Sequence, residues 1–241
     1  MVVRSVNEAR RDEIAANLMA VRARIDRAAR SVDRDPQDVT LVAVTKRFDA
    51  EDVQILAGLG VRDVAENRHQ EAVDKHARVA DDRLIWHFIG QLQTNKAAAV
   101  AAYADQVDTV DRTSLVRALS KGAVKAHRTV GVLIQVSLAG ADGAAAERGG
   151  CPVADVAGLA EQIGSAPGLQ LRGVMGMAPL GVDPAPAFAR LAQAADIVRQ
   201  IDPAATQVSA GMSGDLEQAV ASGATHVRVG TAILGDRPAL G

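Results

Sequence analysis

The chain has 241 residues, a formal net charge of −2 and few aromatic side chains, so nothing suggests a basic stripe or base-stacking platform for nucleic acid. The length suits one large domain, and a closed βα barrel of roughly 250 residues is one such solution. The single Cys151 cannot form an internal disulfide, the charged N-terminus leaves no apolar signal core, and no stretch is apolar for long enough to span a bilayer; a soluble cytoplasmic protein is expected.

In chain order, the first expected element is a helix. Ile14, Leu18, Val21, Ile25, Ala28 and Val32 recur at alternating spacings of four and three, which gives one apolar stripe with arginines on the other sides. The stripe spans too few heptads for a coiled coil and reads as a packing face. After Pro36 short apolar runs alternate with helical segments. The runs are Leu41–Thr45, Val61–Ala65, Ile85–Ile89, Gln106–Val110, Val130–Val136, Leu169–Met175, Gln207–Ser209 and His226–Val229. Between them, Asp49 with Asp52 signals a helix that ends at Gly58 and Gly60, Asp111 one through Leu115 and Leu119, and Ser213 one that stops at Gly223. Eight βα units predict an α/β fold, a single (β/α)8 TIM barrel with an extra N-terminal helix, as one domain over residues 1–241. An open doubly wound sheet is the alternative, because hydrophobic pattern alone does not show closure. The glycine-rich stretch Ala139–Gly150 reads as a mobile loop after the fifth strand.

Lys46 is the most informative residue. It closes the buried run Leu41–Val44 at the carboxyl edge of the sheet, where α/β folds place ligand sites. An ammonium among apolar walls loses hydration, its pKa falls, and the neutral amine can form a Schiff base with an aldehyde. The bland alternative is a solvated lysine at a strand end. Two further segments speak for a ligand. Ser209-Ala210-Gly211-Met212-Ser213 leaves the seventh strand and opens a helix, and Arg228-Val229-Gly230-Thr231 ends the eighth. Small residues and unpaired amides there suit a phosphate, and barrels often bind phosphate on these two loops. Asp215 and Glu217 would repel phosphate if they faced it. Asn67 could bond a ligand or merely cap a helix, and His87 reads equally as a lumen histidine or a functional one. His69 and His76 share a helical face without tight metal-ligand spacing, and neither a Ser/His/Asp nucleophile elbow nor a P-loop is present.

Together these segments resemble one family. Ala43-Val44-Thr45-Lys46, Ala65-Glu66-Asn67, His87-Phe88-Ile89-Gly90-Gln91-Leu92-Gln93-Thr94-Asn95-Lys96, Leu171–Met177, Ser209–Ser213 and Val227–Ile233 are similar, in the same order, to the motifs of the pyridoxal 5′-phosphate (PLP) homeostasis proteins of the YggS/PROSC type. The resemblance runs from about residue 5 to residue 237. It implies a barrel like the N-terminal domain of alanine racemase and PLP bound covalently to Lys46. It places Ser209, Gly211, Met212, Ser213, Gly230 and Thr231 at the phosphate, and Asn67 and Arg228 at the pyridine ring. An arginine at the ring nitrogen keeps that nitrogen unprotonated, which weakens the ring as an electron sink. Ala65, Gln91, Ala210 and Arg47 depart from the family's usual residues, and the Gly140–Gly150 loop lacks its usual lysine pattern.

The expected function is therefore to hold PLP and contribute to its intracellular homeostasis without substrate turnover, with PLP-dependent apo-enzymes as candidate recipients. The alternative is a PLP-dependent racemase. That needs a second acid–base group on the opposite face, and the only tyrosine, Tyr103, sits on a segment leading into the fourth strand, toward the wrong mouth. His87 would be the remaining candidate base. No nucleic acid, membrane or metal partner is expected, and a monomer is the expected state because the barrel's own helices should cover its apolar exterior.

Overall fold

Each apolar run pairs with its neighbour in the chain, and the last returns to the first. In the computed structural model, which describes residues 6–138 and 149–236, the strands are β1 (Thr40–Val44), β2 (Asp63–Glu66), β3 (Ile85–Phe88), β4 (Gln106–Val110), β5 (Val130–Gln135), β6 (Leu169–Met175), β7 (Gln207–Ser209) and β8 (His226–Val229). They form a closed parallel barrel in chain order. Closure rests on β1 beside β8, where Leu41 stands opposite Val227 and Val42 opposite Arg228. The open sheet is thereby ruled out, and among the described strands closure leaves no edge to pair with another chain. Of the glycine-rich stretch after β5, residues 139–148 lie outside the described residues.

The helices are α1 (Val6–Arg30), α2 (Ala50–Gly58), α3 (His69–Val79), α4 (Ala97–Ala101), α5 (Thr113–Lys125), α6 (Val156–Gly164), α7 (Ala185–Ile201), α8 (Leu216–Ala221) and α9 (Thr231–Leu234). The stripe Ile14, Leu18, Val21, Ile25 and Ala28 of α1 is buried, and α1 packs on α8, α9 and α2 within the core shared with β1 and β8. Val32 does not continue it: α1 ends at Arg30, Asp33 takes a left-handed φ of 56°, and Val32 is left exposed. Arg11, Arg22, Arg27 and Arg30 of α1 are exposed, whereas Arg10 and Arg24 are partly buried and tied down. Arg10 Nε pairs with Asp52 at 2.9 Å, and Arg24 pairs with Glu217 at 2.7 Å while donating to the Ser213 carbonyl at 3.0 Å. The extra helix therefore braces the loop after β7. Asp49 occupies the cap position of α2 without a side-chain cap bond, and α5 is preceded by Arg112 rather than capped by Asp111. Strand β2 starts at Asp63, later than the apolar pattern suggested, because the Val61 amide still bonds the Leu56 carbonyl to close α2.

Alternation along the strands divides the interior. Ala43, Val227 and Val229 point outward into the shell shared with α1 and α2, whereas Val42, Val44 and Ala65 gather inside the barrel with Ile89. The same alternation turns His87, Asp108 and Arg228 inward, and there they meet one another rather than aliphatic layers.

Candidate functional site

A cavity of about 880 Å³ opens at the carboxyl ends of the strands. Lys46, Asn67, Met212, Ser213, Arg228, Gly230 and Thr231, named from the sequence, all line it. They come from four places in the chain: the exits of β1, β2, β7 and β8. Barrel closure brings the first and last of these side by side.

Ser209 and Gly211 do not line the cavity; they act on Arg228. Arg228 Nη1 donates to Ser209 Oγ at 2.7 Å, and Nη2 donates to the Gly176 carbonyl at 3.0 Å. The Arg228 amide bonds the Gly211 carbonyl at 2.9 Å, which extends the β7–β8 pairing into both loops. Gly211 has φ +91°, and a Cβ there would lie 2.6 Å from the Ala219 side chain, so the loop requires glycine for conformation and for space. Burial pulls the Arg228 guanidinium below the usual arginine range, with Asp108 and Asp215 acting the other way.

The two acids flagged in the α8 segment have separate fates. Asp215 Oδ1 accepts the Met212 amide at 2.6 Å and lines the cavity, so it shapes the loop after β7 and takes up one of its amides. Glu217 is turned away to Arg24.

Beneath Lys46 lies a group that sequence reading missed. Thr45 Oγ1 donates to Glu66 Oε1 at 2.6 Å, and Lys75 Nζ donates both to Glu66 Oε1 at 2.6 Å and to the Thr45 carbonyl at 2.7 Å. All three side chains are buried. Burial raises the Glu66 pKa above the ordinary carboxylate value, against the pull of Lys75 and Thr45. A signal was available: Ala72, Lys75 and Val79 recur at helical spacing, so a lysine occupies a position where the stripe calls for an apolar residue.

His87 is buried and is not among the residues lining the cavity. Its Nδ1 lies 3.2 Å from Asp108 and its Nε2 3.1 Å from Asp63. Burial pulls its pKa down, but the two carboxylates outweigh that and lift it to about 9. At neutral pH it is an imidazolium with both N–H groups engaged, which is a lumen role. Tyr103 follows α4, is buried against His69 and His76 at ring distances of 5.8 and 5.9 Å, and does not line the cavity. Burial and the Glu66 charge raise its pKa. His69 and His76 thus belong to an aromatic cluster; among the described residues no group of three or more His, Cys, Asp or Glu could hold a metal ion. No helix among them is long and apolar enough to cross a membrane.

The rim of the cavity was also not legible. Leu180 and Val182, on the loop between β6 and α7, are 75% and 61% exposed at its mouth.

The family model described as alanine racemase, N-terminal domain, matches residues 16–238. The pyridoxal phosphate homeostasis protein of Pseudomonas aeruginosa is 38% identical over 93% of this chain and 96% of its own. Among solved structures, PipY of Synechococcus elongatus PCC7942, determined with PLP bound, superposes with a TM-score of 0.79 at 32% identity, covering 92% of this chain and 100% of its own. An alanine racemase of Clostridium difficile shares the fold alone, with a TM-score of 0.72 at 13% identity over 95% of this chain and 58% of the racemase. By identity and coverage, this chain belongs to the pyridoxal phosphate homeostasis protein family.

Proposed function

We propose that this chain binds PLP covalently through Lys46 and holds it for intracellular homeostasis without turning over a substrate. The observation that carries the reading is the convergence of Lys46, Arg228 and the loops after β7 and β8 on one cavity. PLP supplies an aldehyde that condenses with a primary amine, releasing water, and a ring that can accept electrons. The side chains present fit its parts. Lys46 offers the amine. The buried Arg228, fixed by Ser209 and the Gly176 carbonyl, would present a cation to the ring nitrogen and keep a proton off it. Asn67, which lines the cavity, would contact the ring. Ser213 and Thr231 offer hydroxyls and Gly230 a backbone without side chain, which suits a phosphate. Ser209 and Gly211 serve this site through Arg228. The PLP-bound relative at 32% identity supports the reading.

Proton handling supports the reading without turnover. Racemisation removes a proton on one face and returns it on the other, so two positioned groups are needed. Lys46 serves one face; neither Tyr103 nor the doubly bonded His87 lines the cavity, and Asp215 is engaged by the Met212 amide. A monomeric cytoplasmic protein of one domain over residues 1–241, with PLP-dependent apo-enzymes as recipients, completes the proposal.

The test is an absorbance spectrum before and after borohydride, with a peptide mass map, on wild type and Lys46→Ala. The reducible adduct should map to Lys46 and vanish in the variant. A wild-type level of adduct in Lys46→Ala would contradict the assignment. Racemisation of single amino-acid enantiomers that depends on Lys46 and disappears in His87→Ala would make the protein an enzyme.

A further inference from the structure

The turn that carries Lys46 is tight and strained. The Phe48 amide bonds the Thr45 carbonyl at 3.1 Å, which closes a β-turn with Lys46 and Arg47 at its centre. Arg47 has φ +69°, a left-handed conformation disfavoured for a residue with a Cβ. Such strain persists only where the surroundings over-determine it. Here the surroundings are explicit. The Thr45 carbonyl takes a second hydrogen bond, from Lys75 Nζ at 2.7 Å, and the Thr45 hydroxyl is held by Glu66 at 2.6 Å. The Arg47 amide is met by Glu71 Oε2 at 3.3 Å.

The placement of the ion pair is informative. Replacing a buried pair with well-packed apolar side chains is often neutral or stabilising, so net stability is a weak reason for one. Lys75 and Glu66 touch the residue before Lys46, and Glu66 is itself the residue before Asn67. The Thr45 amide bonds the Ala65 carbonyl at 3.0 Å, so the exits of β1 and β2 are locked together at this level. One step along each strand leads from the buried cluster to the cavity lining.

We propose that Lys75 and Glu66 are positioning residues for Lys46: by clamping the Thr45 carbonyl and hydroxyl they hold the strained turn that aims the Lys46 amine into the cavity. This rests on the reading of Lys46 as the residue that captures the aldehyde. Loss of the clamp lets the turn relax and misplaces the amine, while the loops after β7 and β8, whose described hydrogen bonds involve neither Lys75 nor Glu66, keep their geometry.

The experiment separates capture from binding. Wild type, Lys75→Met and the double variant Glu66→Gln/Lys75→Met are mixed with PLP, and imine formation is followed by stopped-flow absorbance. Binding of pyridoxine 5′-phosphate, which has the ring and phosphate but no aldehyde, is measured in parallel. Lys75→Met leaves a lone buried acid, a cost to folding; the double variant leaves no lone charge and keeps the test available. Capture is expected to slow by at least about tenfold in the double variant, since a misplacement of about 1 Å can cost on the order of 10²-fold. Pyridoxine 5′-phosphate affinity should stay within about twofold, because it uses no bond to the amine. Capture at the wild-type rate would overturn the proposal, and so would equal losses of capture and pyridoxine 5′-phosphate binding, which mark general damage. A wild-type adduct on another lysine would overturn the functional reading first, and the proposal with it; peptide mapping distinguishes that outcome.

Discussion

Replacing His87 with glutamine should abolish a pH dependence of stability that the wild-type barrel carries on its alkaline side. The imidazole faces Asp108 and Asp63, with Gln106 bonded to the same Asp108 oxygen at 3.1 Å and His226 close enough to feel its charge. Its pKa is lifted from 6.5 to about 9 on folding. A raised pKa means that the folded state binds the proton more tightly, so the stabilisation is fully present below pH 6.5 and is lost as pH rises through 9. Between pH 6.5 and 8.5 this linkage amounts to a loss of about 2 kcal/mol, at roughly 1.4 kcal/mol per pKa unit. The range stops short of the Cys151 thiol, which burial pushes up to about 11 from 9 and which adds its own alkaline limb. The assay is urea unfolding at pH 6.5, 7.5 and 8.5, with the slope of the transition checked for constancy. Wild type should lose stability across the series, and His87→Gln should show a flat profile. A flat wild-type profile, or an equal slope in the variant, would refute the assignment of the imidazolium to the two carboxylates. Below pH 6.5 the limb reverses. Burial and the His87 charge hold His226 down at about 4, so stability should fall as pH drops from 6.5 toward 4.

Three further outcomes are expected. Gly230→Val should weaken PLP more than pyridoxal, by at least about tenfold, because even a Cβ there would lie 3.0 Å from the Val44 carbonyl oxygen and would displace the loop proposed to hold the phosphate; equal losses measured by titration of both vitamers would contradict that proposal. Ser209→Ala should cost a few-fold in PLP affinity and shift the visible band of the bound cofactor, since it removes an Arg228 anchor of about 1 kcal/mol rather than a phosphate contact; selective loss of the phosphorylated vitamer would instead place Ser209 at the phosphate. Leu180→Ser should change stability by less than about 0.5 kcal/mol in a thermal melt, because the side chain is 75% exposed; a larger loss would show that the rim is packed.

What could be read from the sequence was governed by range. The strands and their order follow from local hydrophobicity, and β6 and β7 match the expected spans because their ends coincide with pattern breaks. Placement at the cavity was legible where chain order maps onto the mouth of a barrel, as for Lys46 and Arg228. The bonds of Ser209 and Gly211 were not, because each reaches Arg228 on the next strand, Ser209 through its hydroxyl and Gly211 through its backbone carbonyl. Lys75 was hidden for the opposite reason: it sits on a helix face, far in sequence from Lys46, and only burial reveals that its ammonium ends at the Thr45 carbonyl. His87 could be placed inside the barrel by alternation, but its charge depends on Asp63 and Asp108, which arrive from two other strands.

The charged plug of His87, Asp63, Asp108 and Arg228 across the lumen has a kinetic consequence. Its buried side chains fill the barrel interior beneath the cavity, so an occupant exchanges at the carboxyl ends of the strands, where Leu180 and Val182 are exposed. Transfer to any second protein would then follow spontaneous departure, at a rate independent of that protein's concentration, or require contact at this mouth.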